Sequence, residues 1–289
     1  MKECMACGLR FVINGWQCPS CGYTPEKRSG YWIFSPDMME SNDGFDPDYF
    51  MRLAGIEERN WWFRSRNKLI IWALRRNFPR AKNFHEIGCG TGFILLGIKQ
   101  SLPDLFLSGS DLFIEGLACA EKRLPGVTLF QSDARKIPFE EEFDIISAFD
   151  VLEHIQEDGE VLVQMFKASK RGGGIMVTVP QHPFLWSRVD EHSFHKRRYT
   201  RKELVRKATQ AGFQDIWCTS FVSFLLPLMF LIRLGKGKNF TKYDVLEDLN
   251  SGILTNKVLS RIMDIEAVLV QGGISLPKGG SLLMVAKKS

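Results

Sequence analysis

At 289 residues the chain has room for one large domain, or for a domain with an appendage. Its 45% apolar content is that of a globular protein with a full core, which sets aside a disordered chain, and the net charge of +5 permits an anionic partner without demanding one. Seven cysteines, an odd number with four clustered near the start, argue against a disulfide framework and for a metal site in a reducing compartment. Met1-Lys2-Glu3-Cys4 lacks the apolar stretch of a signal peptide, so the expected location is cytoplasmic.

The first 24 residues carry two C-x-x-C-G knuckles, Cys4-Met5-Ala6-Cys7-Gly8 and Cys18-Pro19-Ser20-Cys21-Gly22, separated by a spacer of ten residues between Cys7 and Cys18. Two residues between thiolates let one tight turn present both sulfurs, and the following glycine frees the backbone to close it. Cys4, Cys7, Cys18 and Cys21 therefore form a candidate Cys4 shell, the closed geometry of a structural zinc ribbon, although iron suits the same donors. Phe11-Val12-Ile13 and the approach through Trp16-Gln17 are its expected strands. Residues 25–48, rich in Pro, Gly, Ser and Asp, are expected as a linker with one apolar touch-down at Tyr31-Trp32-Ile33-Phe34. From residue 49 onward the pattern becomes that of a single larger domain. It opens with an aromatic-led helix over Trp61-Trp62-Phe63-Arg64-Ser65-Arg66 and beyond.

Asn83 to Ile87 reads as a short apolar strand, and Gly88-Cys89-Gly90-Thr91-Gly92 as a tight turn feeding a helix at Phe93. Alternating glycines let the backbone pass close to a ligand, and the free N–H groups of a helix start favour a polar or anionic one. Phe93 stands where a dinucleotide fingerprint wants its third glycine, and no G-K-[ST] ending supports a P-loop. Leu105 to Asp111 is a second strand ending in an acid nineteen residues after Gly92; Val127 to Asp133-Ala134 is a third. Phe143 to Phe149 is a fourth, followed by Asp150-Val151-Leu152-Glu153-His154.

The run Glu86-x-Gly88-x-Gly90-x-Gly92, the acid Asp111, the Asp133-Ala134 pair and the L-E-H tail together resemble the class I S-adenosylmethionine (SAM)-dependent methyltransferases, over about Trp61 to Lys287. The resemblance implies an α/β, Rossmann-like seven-stranded sheet with helices on both faces, its last strand antiparallel. It also implies that Glu86, Gly88, Gly90, Gly92, Asp111, Asp133, Ala134 and Asp150 line the SAM site. The W-W-F-R-x-R segment is similar to one in a bacterial group of these enzymes. There Arg64 or Arg66 is expected to pair with the SAM carboxylate, since arginine offers a planar fork.

Gly172-Gly173-Gly174 leads into the β-branched run Ile175–Pro180, expected as the fifth strand; Thr200-Arg201-Lys202-Glu203 is a capping box that starts a helix. Ligands of an open α/β sheet sit outside the C-terminal strand ends, so Asp150, Glu153, His154, Gln181, His182 and the loop 183–199 are the acceptor-side candidates. His154 or His182 is the candidate general base, because histidine titrates near working pH. Asp190, His192 and His195 mimic a metal cluster, but their spacing fits no firm ligand template, and a loop that orients substrate is the preferred reading.

Residues 222–278 are expected as a helical insertion. Phe221–Ile232 is too short for a bilayer span and is broken by Pro227, so a lid over the substrate side is expected, with peripheral membrane contact through 221–232 and the basic Arg233, Lys236, Lys238 and Lys242 as the alternative. Leu246 to Val270 is a further helix, with Val258, Leu259, Ile262, Ile265, Val268 and Leu269 at helical spacing. The expected activity is methyl transfer to a small-molecule or lipid-like acceptor. An RNA methyltransferase that uses the ribbon for RNA recognition is the second reading, and a non-catalytic SAM-binding scaffold the third. No N-P-P-[YF]-type motif follows the fourth strand, which weighs against the RNA reading.

Overall fold

The computed structural model describes residues 1–38, 48–235 and 252–289, with 232–235 as backbone alone. Its centre is a sheet in which β5 (Asn83–Ile87), β6 (Phe106–Asp111), β7 (Thr128–Gln131), β8 (Phe143–Phe149) and β9 (Ser169–Pro180) run parallel. β11 (Ser281–Lys287) is inserted antiparallel between β9 and β10 (Gln214–Phe221). These seven strands take the order β10-β11-β9-β8-β5-β6-β7, the mixed Rossmann-like arrangement expected, with the last strand antiparallel. The central strands are buried on both faces, which is why β8, β11 and the Ile175–Pro180 part of β9 read as near-continuous apolar runs in place of an alternating pattern.

Helices complete both layers. One face packs α2 (Trp61–Asn77), α3 (Phe93–Ser101) and α4 (Ile114–Arg123) through Ile70, Leu74, Leu95, Ile98 and Leu117. The other packs α5 (Asp158–Ala168) and α7 (Arg201–Gln210) through Leu162, Met165 and Leu204. Local signals set their starts. The Asn60 side chain accepts from Trp62 N at 2.8 Å, and Thr200 accepts from Glu203 N at 3.2 Å, which caps the helix where the capping box placed it. Strand β5 pairs with β6 on one side and β8 on the other, so connections leave in opposite directions and open a crevice beyond Ile87, Asp111 and Phe149.

Three stretches differ from the sequence expectation. Part of the segment expected as a linker is strand: β3 (Glu26–Arg28) and β4 (Tyr31–Ile33) form a hairpin, and β4 lies parallel to β7, so the sheet has nine strands where seven were expected. The touch-down residues Tyr31, Ile33 and Phe34 are buried, which turns an apolar contact into an edge strand. In the N-terminal ribbon, β1 (Lys2–Glu3) pairs with β2 (Arg10–Phe11), whereas Val12, Ile13 and Trp16-Gln17 lie outside strands.

The ribbon is docked on the domain. Glu3 N donates to Pro138 O at 3.0 Å, Arg10 pairs with Glu140, Lys167 pairs with Glu3, and Trp16 packs edge-on against Phe34 and Phe139.

The insertion holds α8 (Leu226–Gly235) and α9 (Ile253–Gln271), and the expected basic residues Lys236, Lys238 and Lys242 and the first part of the expected 246–270 helix lie outside the described residues. The inward face of α9 is Met263, Glu266 and Val270, while Val258, Ile265 and Val268 are exposed. A polar anchor sets this rotation: the Glu266 carboxylate accepts from Ser223 N (2.6 Å) and Phe224 N (2.9 Å), tying α9 to the chain leaving β10. Among the described residues no helix is long and apolar enough to cross a membrane.

Candidate functional site

Beyond β5 the chain turns through Gly88, Gly90 and Gly92, all at positive φ (65°, 48° and 74°). A Cβ on Gly88 would lie 2.5 Å from Val151 Cγ2, and one on Gly92 2.9 Å from Ala120 Cβ, so conformation and space both demand glycine there. Gly92 opens α3, which aims the first free N–H groups of that helix at the crevice. Asp111, the last residue of β6, locks this loop: Oδ2 accepts from Gly90 N at 2.7 Å and Oδ1 from Phe113 N at 2.9 Å. Burial raises its carboxyl to about 6 against the pull of those N–H groups. Beneath the loop, Glu86 is buried with Oε2 unpartnered, and burial pushes its carboxyl well above the ordinary range, opposed by the charge of Arg66.

A helix that carries no motif roofs the loop. In α1 (Asp48–Glu57), the Phe50 ring lies against Gly90 and Gly116. Glu57, at its end, accepts from Thr91 Oγ1 and from Arg123, and Arg123 Nη2 also donates to Ala54 O at 2.8 Å. Sequence reasoning missed Phe50, Glu57 and Arg123. The only local trace was an acidic and an apolar position on a short helix, which any surface helix offers.

At the end of β7, Asp133 and Ala134 are buried beside the hairpin segment: Ser35 Oγ accepts from Asp133 N at 3.1 Å, and the Asp133 carboxylate holds Arg135. Ser35 is a further residue that no motif marks. After β8, Asp150 adopts a positive φ of 56° and pairs with Arg66, which α2 buries to 7% exposure. Arg66 stacks 4.4 Å from the Trp62 ring, and its Nε is buried without a partner. Arg64, two residues earlier, lies on the exposed face of the same helix.

The acceptor-side candidates gather at the same sheet end. Glu153 is 1% exposed, and the ligand-competent atoms of Glu153, His154 and His195 lie within 4.8 Å of one another. Asp190, fully buried, binds His195 Nδ1 at 2.9 Å and accepts from Arg198 Nε at 2.6 Å. Burial would raise the Asp190 carboxyl, but those hydrogen bonds and the Arg198 charge hold it down at about 2. His154 keeps an exposed edge. Packing around its ring and the charges of His195 and Lys196 nevertheless push its pKa below the ordinary histidine range. His182 sits at a φ of 65°, stacks on Phe184 at 4.9 Å and has a buried, unpartnered Nε2. Burial and the charges of Lys278 and Arg198 lower its pKa too. Of the loop cluster expected from sequence, the structure brings Asp190 and His195 together and leaves His192 exposed.

In the ribbon, Cys4, Cys7, Cys18 and Cys21 converge within 4.8 Å, with Cys4–Cys21 and Cys7–Cys18 sulfur pairs each at 3.6 Å. Sulfurs held at about 2.3 Å from a tetrahedral zinc lie ~3.8 Å apart, so the donor set fits that ion. Gly8 and Gly22 both sit at φ 73°, as the knuckle turns require. A depression of about 430 Å³ bordered by Lys99, Phe106 and Thr128 opens at the opposite, N-terminal ends of β6 and β7 and lies away from all these groups.

Residues 85–173 match a family described as a methyltransferase domain. A probable SAM-dependent methyltransferase of Mycolicibacterium smegmatis is 23% identical over 168 residues, covering 56% of this chain and 63% of that protein. A dTDP-3-amino-3,4,6-trideoxy-α-D-glucopyranose N,N-dimethyltransferase of Streptomyces venezuelae is 29% identical over 110 residues, covering 37% and 46%. Among solved structures, phosphoethanolamine N-methyltransferase 2 of Haemonchus contortus, in complex with SAM, superposes with a TM-score of 0.57 at 17% identity, covering 87% of this chain and 59% of that one. The chain thus spans less than two thirds of the length of each of these three proteins. The family match falls on the strands that carry the glycine loop: residues 85–173 are similar to a methyltransferase domain, and the chain shares the fold of a SAM-bound enzyme.

Proposed function

We propose that the crevice holds SAM on the side of the glycine loop and a small-molecule or lipid-like acceptor on the side of Glu153 to Tyr199. The observation that supports the donor half most directly is the run of three positive-φ glycines locked by the Asp111 carboxylate. It presents bare backbone and helix N–H groups to a ligand that has both a charged amino-acid end and a ribose. SAM, when bound, supplies a methyl group on an electrophilic sulfonium.

Gly88, Gly90, Gly92 and Asp111 are assigned to that ligand, with Asp133 and Ala134 at its base end and Ser35 beside them. Arg66 is preferred over Arg64 as the carboxylate partner: it is buried at the crevice and retains an unpartnered Nε, while Asp150 holds its fork in place. Phe50 and the Glu57–Arg123 pair close the roof and keep water out. For an acceptor that loses a proton, His154 and His182 are the groups in reach of the crevice. The sugar N,N-dimethyltransferase relative supports a small-molecule acceptor. The four-cysteine cluster is assigned to structural zinc: with four thiolates there is no open position for chemistry.

The test is to incubate the purified protein with methyl-tritiated SAM and a lysate of cells lacking it. The label is then partitioned between organic extract, small aqueous molecules, RNA and protein. Label in the organic or small-molecule fraction is the expected result. Label confined to RNA or protein would overturn the acceptor assignment.

A further inference from the structure

Four cysteines account for one candidate metal shell, but a second convergence of donors lies beside the crevice. Glu153 and His154 leave the end of β8; His195 comes from the loop after α6 (Arg188–His192), about forty residues later. Their rings and carboxyl meet with all ligand atoms within 4.8 Å, and the two imidazoles approach edge to face at 4.8 Å between centroids. An ion held at ~2.1 Å from each donor would draw them to about 3–4 Å, a shift that side-chain rotation covers.

Two features make this more than a crowd of polar groups. Glu153 is 1% exposed, and its Oε2 has no hydrogen-bond partner. The two guanidinium groups whose charge reaches it are paired with other carboxylates: Arg66 with Asp150, and Arg198 with Asp190. A buried carboxylate oxygen with no donor is costly unless something binds it. The second feature is the orientation of one histidine. His195 is held through Nδ1 by the buried Asp190, which leaves Nε2 as its lone-pair donor. A carboxylate behind a histidine is the outer arrangement that fixes tautomer and ring direction in metal sites.

We propose that Glu153, His154 and His195 bind one divalent first-row metal ion, positioned by Asp190, separate from the ribbon zinc. Two nitrogens and one carboxylate oxygen suit a borderline ion, and three protein ligands leave coordination positions for water or an oxygen of the acceptor. The site lies next to the donor loop, since Val151, two residues before Glu153, backs directly onto Gly88. The proposal deepens the acceptor half of the proposed function and assigns His154 to metal ligation in place of proton transfer.

Mn²⁺ is the probe, because a hard ion is poorly matched to four thiolates. Titrating the full-length protein with Mn²⁺ and following free ion by electron paramagnetic resonance should show one site per chain. His154→Ala, at the exposed edge of the cluster, and Glu153→Gln, which keeps side-chain shape, should each weaken that site at least tenfold. Asp190→Asn, which removes the carboxylate that orients His195, should weaken it ~10–100-fold. Thermal melts accompany each variant, and SAM affinity measured on the same samples reports separately on the donor half. Absence of saturable Mn²⁺ binding in folded protein, or equal affinity in wild type and His154→Ala, would overturn the site.

Discussion

The two halves of the crevice are built from different materials. The proposed donor half is backbone: glycines at positive φ, a helix start, and one carboxylate whose oxygens accept from Gly90 N in the glycine loop and from Phe113 N in its own turn. The proposed acceptor half is side chain: Glu153, His154, Asp190 and His195, gathered together, and His182, stacked on Phe184. Backbone geometry restricts a ligand through shape, and few sequences satisfy it. Side-chain chemistry can be exchanged residue by residue without disturbing the strands that carry it. On the proposed reading the donor half carries SAM, and the acceptor half selects what is methylated.

If the division is right, Arg66 should be the most damaging side chain to lose, because it joins the halves. Arg66→Ala leaves Asp150 without its ion-pair partner and removes the proposed carboxylate fork. Hydrogen bonds to charged groups contribute about 1.5–3 kcal/mol, so SAM affinity should fall ~10–100-fold, read by calorimetric titration. Arg64→Ala, on the exposed face, should leave it within about twofold. Equal losses in the two variants would break the assignment.

A smaller effect is expected below the crevice, where His85 sits fully buried between the Ser108 and Ser110 hydroxyls and is stacked on Phe130 and Phe143. Burial lowers its pKa from 6.5 to about 3. The unfolded chain therefore takes up a proton that the folded one refuses. The contribution is intact above pH 6.5 and is lost as pH falls from there toward 3, by up to ~1.4 kcal/mol per unit. Urea midpoints of wild type and His85→Gln between pH 7.5 and 5 should show a shallower pH slope in the variant. Parallel slopes would mean that His85 is not the group responsible.

The same contrast explains what was legible in advance. The β5 loop, Asp111 and the order of the strands follow from local patterns of a few residues, because positive-φ turns and buried parallel strands tolerate few alternatives. The capping box at Thr200 was legible for the same reason. The roof was not: Glu57 meets Thr91 and Arg123 from 34 and 66 residues away, and nothing in α1 marks the encounter. The hairpin over Glu26–Arg28 and Tyr31–Ile33 was hidden because both strands are three residues long and the first is wholly polar, so its order comes from the pairing of Tyr31–Ile33 with β7. The rotation of α9 was hidden because a buried carboxylate, Glu266, outweighs the apolar spacing around it. His195 was noticed beside Asp190, but its approach to Glu153 and His154 depends on a loop closing over the end of β8, which no spacing rule supplies.

The central claim is that the loop of Gly88, Gly90 and Gly92 is the SAM site. Calorimetric titration of the full-length protein with SAM, beside Gly88→Ala, tests it most directly. An added Cβ must occupy space 2.5 Å from Val151 Cγ2 at a φ that favours glycine. The account predicts one SAM per wild-type chain and at least tenfold weaker binding in a Gly88→Ala protein that still melts cooperatively. Undiminished SAM binding by that folded variant would contradict it.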